Sequence, residues 1–272
     1  MNNAVLRVLT ALVAAPIVVA LAYVGGWPFG LLVVGIALLA QAELYGMAEA
    51  GGLQPHKPLG FALGALVVLE PIWPAAAPLA VLVCVGLVAL PPFVFAQERA
   101  LASLAATALG AFYPAFLLGF LLRLRAARGP AVDDGAAFLL VLLTLLLVWA
   151  SDVFAYYAGK AFGRRPLAPA ISPKKTWEGL FGGLAGALVV ALGFAWTAGV
   201  PAWPHALGLA AIAGGIGPLG DLAESHLKRA VQVKDSSAIL PGHGGLLDRF
   251  DAMAVVAPLA YLYLACVAGL FG

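Results

Sequence analysis

The strongest constraint on this 272-residue sequence is a series of long apolar stretches separated by short polar connections. A helix that crosses a bilayer needs about 20 mostly apolar residues, because lipid offers no partner for its backbone N–H and C=O groups. Nine stretches meet this requirement. They cover residues 4–25, 28–48, 58–74, 76–96, 101–122, 136–160, 177–199, 205–228 and 250–271. The sequence therefore predicts an all-α polytopic membrane protein with about nine transmembrane helices.

Composition excludes most other broad classes of protein. Only 10% of the residues are charged and the mean hydropathy is +1.02, whereas soluble domains carry about 25% charged residues. The net charge of +2 is too small for a nucleic-acid-binding surface, so no nucleic-acid partner is expected. The lipid bilayer is the expected surrounding of most of the chain.

The distribution of Lys and Arg predicts the orientation of the helices. With nine spans, 12 of the 15 basic residues fall on the side of the N-terminus, and Arg123, Arg125 and Arg128 fall on the other. Because basic residues are retained in the cytoplasm, the N-terminus is expected to be cytoplasmic, in a bacterial inner membrane. Four tryptophans then lie at the outer interface, where indole rings are enriched: Trp27, Trp73, Trp196 and Trp203.

The few charged residues are concentrated in two segments on the predicted cytoplasmic side. Of the 28 charged residues, sixteen lie within residues 152–178 and 221–251. Part of each cluster lies inside a predicted span, where an ionisable group costs several kcal/mol unless it is paired or hydrated. We therefore expect a polar, cytoplasm-facing active-site cavity in a catalytic half, residues 131–272. Residues 1–130 are expected to form a scaffold that can contribute dimer contacts.

The second cluster places carboxylates at two helix ends. Asp221 and Glu224 lie about one turn apart on the predicted eighth helix, and Asp248 and Asp251 lie one turn apart at the start of the ninth. Oxygen ligands of this kind suit a hard cation such as Mg²⁺. An internal ion-pair ladder is the alternative interpretation, but it does not explain the glycine-rich segment between the two helices.

Phosphate-binding residue types surround these carboxylates. Ser225 and Lys228 share the face of Asp221, and Arg229 lies at its edge. Glycines in the following segment, including Gly244 and Gly245, admit the close approach of a phosphate to the backbone. A divalent metal combined with phosphate-binding cations is the equipment of phosphoryl or nucleotidyl transfer.

The first cluster combines a carboxylate in an apolar span with a basic loop. Asp152 lies near the end of the sixth span, and the run SPKKTWEG begins at Ser172. Ser172 or Thr176 can cap the seventh helix, and the adjacent Lys174 and Lys175 make its N-terminus a natural anion site. The alternative is simple positive-inside anchoring of the helix with a tryptophan at the interface.

At these residues the sequence resembles the phosphatidate cytidylyltransferase family, also called CDP-diacylglycerol synthases. The family pattern is S-x-apolar-K-R, four residues, K-D, then P-x-H-G-G-apolar-x-D-R-apolar-D. This sequence fills every specified position without a gap, with Ser225, Lys228, Arg229, Lys234, Asp235, Pro241, His243, Gly244, Gly245, Asp248, Arg249 and Asp251. The SPKKTWEG run and the segment SDVFAYYAGKAFG from Ser151 also look like family elements. The plan of about nine helices extends the resemblance over most of the chain, although the first 100 residues carry no recognisable family feature.

The resemblance implies transfer of a cytidylyl group from CTP to phosphatidic acid, giving CDP-diacylglycerol and pyrophosphate. It also implies a Mg²⁺ ion, a K⁺ ion beside it, and a homodimer. The expected catalytic residues are Asp221, Asp248, Lys228, Arg229 and His243. Asp221 and Asp248 are the first expected metal ligands, with Glu224 and Asp251 second. The expected substrate-binding residues are Ser172, Lys174, Lys175, Thr176, Ser225, Lys234, Arg249, Gly244, Gly245 and Asp152.

Two expectations from the sequence have alternatives: the role of His243 and the identity of the reaction. His243 is expected to donate a hydrogen bond rather than act as a base, because the attacking phosphate is already anionic with a second pKa of about 6. A CTP-dependent polyprenol kinase or a cytidylyltransferase for an ether lipid would use the same nucleotide. An anion transporter is less well supported, because the charges collect at one face rather than at the membrane midplane.

Overall fold

Helices make up most of the computed structural model, which describes residues 3–89, 99–233, 236–237 and 244–271, with side chains described from residue 12 onward except that of residue 88. The helices are α1 (Asn3–Val24), α2 (Gly26–Ala50), α3 (Lys57–Leu69), α4 (Ala76–Ala89), α5 (Ala100–Gly110), α6 (Phe120–Ala126), α7 (Asp134–Phe162), α8 (Trp177–Ala198), α9 (Trp203–Ala211), α10 (Pro218–Ala230) and α11 (Leu247–Leu262). Three π-helical segments directly follow α5, α9 and α11, and they cover Ala111–Phe116, Ile212–Ile216 and Tyr263–Val267.

Six helical segments of the described chain are long and apolar enough to cross a membrane, which confirms an integral membrane protein. They are Gly26–Ala50, Ala100–Ala126, Asp134–Phe162, Trp177–Ala198, Trp203–Ala230 and Leu247–Val267. Three shorter apolar segments overlap the other predicted spans, and they are Leu12–Val24, Lys57–Leu69 and Ala76–Leu87. The predicted third span is longer than α3, which ends two residues before Pro71, a residue without the N–H that a helix needs. The total of nine spans stays a prediction.

Backbone packing divides the chain into two compact units. The first unit consists of Met1–Leu122 with Lys228–Phe250, and the second consists of Arg123–Leu227 with Asp251–Gly272. The helices α10 and α11 therefore each contribute residues to both units. The division into a scaffold and a catalytic half at residue 130 is a functional prediction and stays one.

The first unit packs α2 against α3 and against the α5 segment around a buried polar network. Tyr45 is fully buried, and its hydroxyl donates to the Thr107 carbonyl at 2.8 Å. The Gln41 amide donates to the Tyr45 hydroxyl and to the Gly60 carbonyl, both at 2.7 Å. A Cβ at Gly60 would overlap the Tyr45 ring, so the small residue permits this close helix contact. These hydrogen bonds satisfy polar groups that lipid could not satisfy.

The second unit packs α7 closely against α8, with the π-helical segment Ile212–Ile216 also in contact with both. Glycines on α8 face α7, because a Cβ at Gly182 would overlap Ala158 and a Cβ at Gly186 would overlap Phe154. Helices in lipid associate by such close van der Waals packing, since lipid gives no hydrophobic drive between them. The long helix α7 is thereby fixed beside the helix that follows the basic loop.

A small β-hairpin, which the sequence did not predict, joins α7 to α8. Strands β1 (Pro166–Ala168) and β2 (Ser172–Thr176) pair antiparallel, with Ala168 opposite Ser172 and Pro166 opposite Thr176. The Trp177 N–H donates to the Arg165 carbonyl at 3.0 Å and extends the pairing to the first residue of α8. The basic run is therefore an ordered strand rather than an irregular loop.

Candidate active site

The hairpin places Lys174 and Lys175 next to the N-terminus of α8. Thr176 caps this helix, since its hydroxyl accepts a hydrogen bond from the Gly179 N–H at 3.1 Å, as the sequence predicted. Ser172 is half-buried at the start of β2, and Lys174 is exposed. Lys175, the next residue, turns towards α10. The predicted anion site at this helix end thus has an ordered backbone and an accessible cation.

Lys175 joins the two charge clusters within the second unit. Its Nζ lies 2.6 Å from Asp221 Oδ2 and donates a longer hydrogen bond, at 3.4 Å, to the Pro218 carbonyl. On the other side of the carboxylate, Ser225 Oγ donates to Asp221 Oδ1 at 3.2 Å. Asp221 thus lies between a cation from the hairpin and a hydroxyl from its own helix. This contact brings together residues that are 46 positions apart in the sequence.

A group of carboxyls surrounds Asp251 in the same unit. The Glu224 side chain is completely buried and lies beside Asp251, which is itself 8% exposed. Asp221 and Asp152 also lie within electrostatic range of Asp251. The close approach of α10 to α11 depends on Gly220, where a Cβ would overlap the Asp251 carbonyl. Three predicted metal ligands and Asp152 are therefore neighbours in the second unit.

The oxygen ligands of the carboxyls around Asp251 fit a divalent cation. Two adjacent buried carboxylates repel each other unless a proton or a cation neutralises them, and all-oxygen donors are what Mg²⁺ prefers. No three His, Cys, Asp or Glu side chains in the described part of the chain are close enough to form a ready-made metal centre. Glu224 and Asp251 are thus the core of a fitting ligand set, with Asp221 its nearest further candidate.

The first unit contains the second lysine–aspartate pair. Lys228 Nζ binds Asp248 Oδ1, and both side chains are largely buried, with 9% and 14% of their area exposed. The other oxygen of Asp248 accepts a hydrogen bond from the Gly245 N–H at 2.9 Å and lies 3.1 Å from the Ser236 hydroxyl. Each of the two first-choice metal-ligand aspartates, Asp221 and Asp248, therefore binds a lysine that was predicted to contact phosphate.

Glu43, on α2 of the first unit, is a buried carboxyl in contact with the family motif, and the sequence pattern did not single it out. It is 3% exposed and accepts four hydrogen bonds. Oε1 accepts from Ser237 Oγ at 2.6 Å and from the Leu246 N–H at 2.8 Å. Oε2 accepts from Ser236 Oγ at 2.9 Å and from the Leu247 N–H at 2.8 Å. An acidic residue inside an apolar span was the available signal.

The two motif glycines have separate structural reasons. Gly244 has a φ of 78°, a conformation that residues with a Cβ rarely adopt. A Cβ at Gly245 would overlap both the Ser236 hydroxyl and the Glu43 carboxylate. The glycines therefore shape the backbone around Asp248 and Glu43, as well as offering N–H groups.

The remaining predicted residues have simpler positions. Arg229 is exposed and donates to the Val233 carbonyl at 3.0 Å. Arg249 is exposed at the start of α11, and Asp152 is exposed on α7. Lys234 and His243 lie outside the described residues, as do Asp235 and Pro241 of the family pattern. Their proposed roles stay predictions.

Buried carboxyls and lysines at the ends of apolar helices make this chain a membrane protein with an ionisable site. Comparison with known proteins shows which family it belongs to. The model of the cytidylyltransferase family matches residues 5–267. A phosphatidate cytidylyltransferase of Synechocystis sp. is 31% identical over 95% of both chains. One of Brucella abortus is 32% identical over 98% of this chain and 96% of its own. One of Bacillus subtilis is 48% identical over 44% of this chain and 45% of its own.

The chain therefore belongs to the cytidylyltransferase family, which confirms the resemblance carried by the motif. Enzymes of this family are nucleotidyltransferases, for which a divalent cation is generally expected. The match begins at residue 5, so it includes the N-terminal helices in which the sequence showed no family feature.

Proposed function

We propose that this protein is a CTP:phosphatidate cytidylyltransferase of phospholipid biosynthesis. A phosphate oxygen of phosphatidate attacks the α-phosphorus of CTP, and the bond to the β-phosphate breaks. The products are CDP-diacylglycerol and pyrophosphate. Full-length similarity to proteins that bear this name supports the assignment of both substrates.

The contact between Lys175 and Asp221 is the structural observation that carries the proposal. It joins the basic strand of the SPKKTWEG run to the helix that begins the long family motif. A structural ion pair would require only opposite charges, but here the pair also lies beside a capped helix N-terminus and the exposed Lys174. Together these features support the proposal that phosphate binds here.

The two lysine–aspartate pairs suggest how the chain prepares for a nucleotide. In each pair the lysine neutralises an aspartate that is partly or largely removed from water. We propose that Lys175 and Lys228 exchange their aspartates for phosphate oxygens when CTP binds. Ser225, Arg229, Lys234 and Arg249 are proposed to add phosphate contacts, and His243 is proposed to donate a hydrogen bond. Fixed cations of this kind stabilise the charge that develops on the leaving pyrophosphate.

Mg²⁺ is the proposed divalent cation, and its proposed ligands are Asp221, Asp248, Glu224 and Asp251. When bound, it would neutralise phosphate charge and polarise the reacting phosphoryl group. Release of Asp221 and Asp248 from their lysines would free one carboxylate oxygen of each for this role. A K⁺ ion beside the Mg²⁺, and assembly as a homodimer, are parts of the proposal that rest on the family resemblance.

The proposed orientation places the active site and the N-terminus in the cytoplasm, with nine helices crossing a bacterial inner membrane. The excess of basic residues on one side supports this orientation. It would let the headgroup of a membrane lipid meet a water-soluble nucleotide at the cytoplasmic surface. The lipid could then keep its acyl chains in the bilayer throughout the reaction.

Product analysis tests the proposed reaction. Purified full-length protein in detergent is incubated with CTP, Mg²⁺ and either phosphatidate, an ether-linked phosphatidate analogue or a polyprenol. We expect equal amounts of CDP-diacylglycerol and pyrophosphate with phosphatidate, and none after chelation of the metal. Release of CDP with the polyprenol would identify a kinase instead. Absence of pyrophosphate with every lipid would refute the assignment.

A further inference from the structure

We propose that Glu43 is a positioning residue that holds Ser236, Ser237 and the start of α11 in their active arrangement, an inference that rests on the proposed function. Its carboxylate accepts hydrogen bonds from both of these places. Ser236 and Ser237 donate through their hydroxyls, and Leu246 and Leu247 donate through their backbone amides. No residue of α2 belongs to the family motif found in the sequence.

Glu43 performs the capping that the local sequence of α11 lacks. The first N–H groups of a helix have no partner within the helix, and a side chain just before it usually accepts from them. The residues before Leu247 are Gly244, Gly245 and Leu246, which have no side-chain acceptor. The carboxylate of Glu43 accepts from the Leu246 and Leu247 amides instead, and its negative charge interacts favourably with the helix dipole.

The same carboxylate is connected to Asp248 through one hydroxyl. Ser236 Oγ lies 2.9 Å from Glu43 Oε2 and 3.1 Å from Asp248 Oδ2. Asp248 is one residue beyond the amide of Leu247 that Glu43 fixes, so both its backbone and its carboxylate are held relative to α2. All of these contacts lie within the first unit.

The geometry leaves little tolerance for another side chain at this position. Each oxygen of Glu43 accepts one hydroxyl and one amide, so all four donors are used by a single carboxylate. A Gln would keep one acceptor oxygen but would point an N–H₂ donor at one of the two amides. An Ala would remove the acceptor of all four hydrogen bonds. Gly245 must also remain small, because a Cβ there would overlap the carboxylate.

Kinetics of Glu43 variants test this role. We expect Glu43→Ala to lower kcat by about 10²-fold, because a misplacement of about 1 Å in a catalytic group has this effect. Glu43→Gln should have an intermediate kcat, and the KM for CTP should change by less than about threefold in both. Rates are divided by the folded fraction measured by size-exclusion chromatography. Glu49→Gln is the matched control, because Glu49 is on the same helix and pairs with the exposed Lys57.

A second variant and a second measurement separate this inference from simple loss of folding. Ser236→Ala keeps Glu43 and its two backbone contacts, and it should lower kcat by about tenfold without loss of folded protein. Hydrogen exchange of the Leu246 and Leu247 amides should be faster in Glu43→Gln than in Glu49→Gln. This measurement needs no substrate, so it remains valid if the wild-type protein proves inactive on phosphatidate.

Three results would overturn the inference. The first is a wild-type kcat per folded molecule in Glu43→Ala. The second is a wild-type kcat in Ser236→Ala. The third is unchanged exchange of the two amides in Glu43→Gln. An inactive wild-type protein would contradict the proposed function instead.

Discussion

Replacing Lys175 by Gln should separate the catalytic value of its contact with Asp221 from its structural value. The Lys175 side chain is 24% exposed and that of Asp221 is 41% exposed. Ion pairs that are this accessible to solvent contribute about 0.2–1 kcal/mol to stability. For a chain of this size that corresponds to a decrease in melting temperature of about 4 °C or less.

The expected effect on catalysis is much larger. If Lys175 moves to a phosphate oxygen of CTP, it stabilises charge that develops in the transition state. Removing one such fixed donor costs about 2.7–4 kcal/mol, or about 10²–10³ in kcat. The activity should therefore fall by at least two orders of magnitude while the protein remains folded.

The assay measures CDP-diacylglycerol formation and thermal unfolding of the same detergent preparation. Lys57→Gln is the matched control, because Lys57 forms an ion pair of 2.8 Å with Glu49 and is 41% exposed. It should show the same small change in melting temperature with no loss of kcat. A wild-type kcat in Lys175→Gln, or an equal loss in Lys57→Gln, would show that Lys175 does not stabilise the transition state.

Three further predictions concern packing, stability and orientation. Gly245→Ala should lower kcat by about tenfold or more, because its Cβ would displace the Glu43 carboxylate. Gly46→Ala is the control and should be active, because no atom lies within 4 Å of its Cβ. Equal rates in the two variants would contradict the packing. Asp134→Ala should lower the free energy of unfolding by about 1–3 kcal/mol with kcat unchanged, because the buried Arg125, 3% exposed, loses two contacts of 2.8 Å. An unchanged melting temperature would disprove this. Lys174→Cys, in a variant without the native cysteines, should react with an impermeant reagent only from the cytoplasmic side; labelling from the outside alone would reverse the orientation.

Much of the fold could be predicted because the bilayer restricts the choice of structure. A segment such as residues 136–160 is too apolar and too long to be anything but a spanning helix, and α7 occupies it. The hairpin Pro166–Thr176 could not be predicted, because Pro173 and two lysines give β2 no strand pattern. Its pairing comes from tertiary context, with the start of α8 supplying a further hydrogen bond to Arg165.

The site could be predicted where its signals are local. The Thr176 cap depends on a residue three positions away, and its prediction is confirmed. The partners of Asp221 and Asp248 depend on the packing of separate segments, so the sequence identified the aspartates and the lysines without identifying which of them pair. Glu43 is an extreme case, because the amide it caps is 204 positions further along the chain. A capping rule that considers neighbouring residues cannot find it.

Turnover of Asp221→Asn directly tests whether this carboxylate takes part in cytidylyl transfer. Asp133→Asn is its control, because Asp133 caps α7 through the Ala136 N–H at 2.8 Å and Asn is an equally good cap. We expect a loss of about 10³-fold in CDP-diacylglycerol formation for Asp221→Asn, with both variants folded in detergent. A wild-type rate in Asp221→Asn would contradict this expectation.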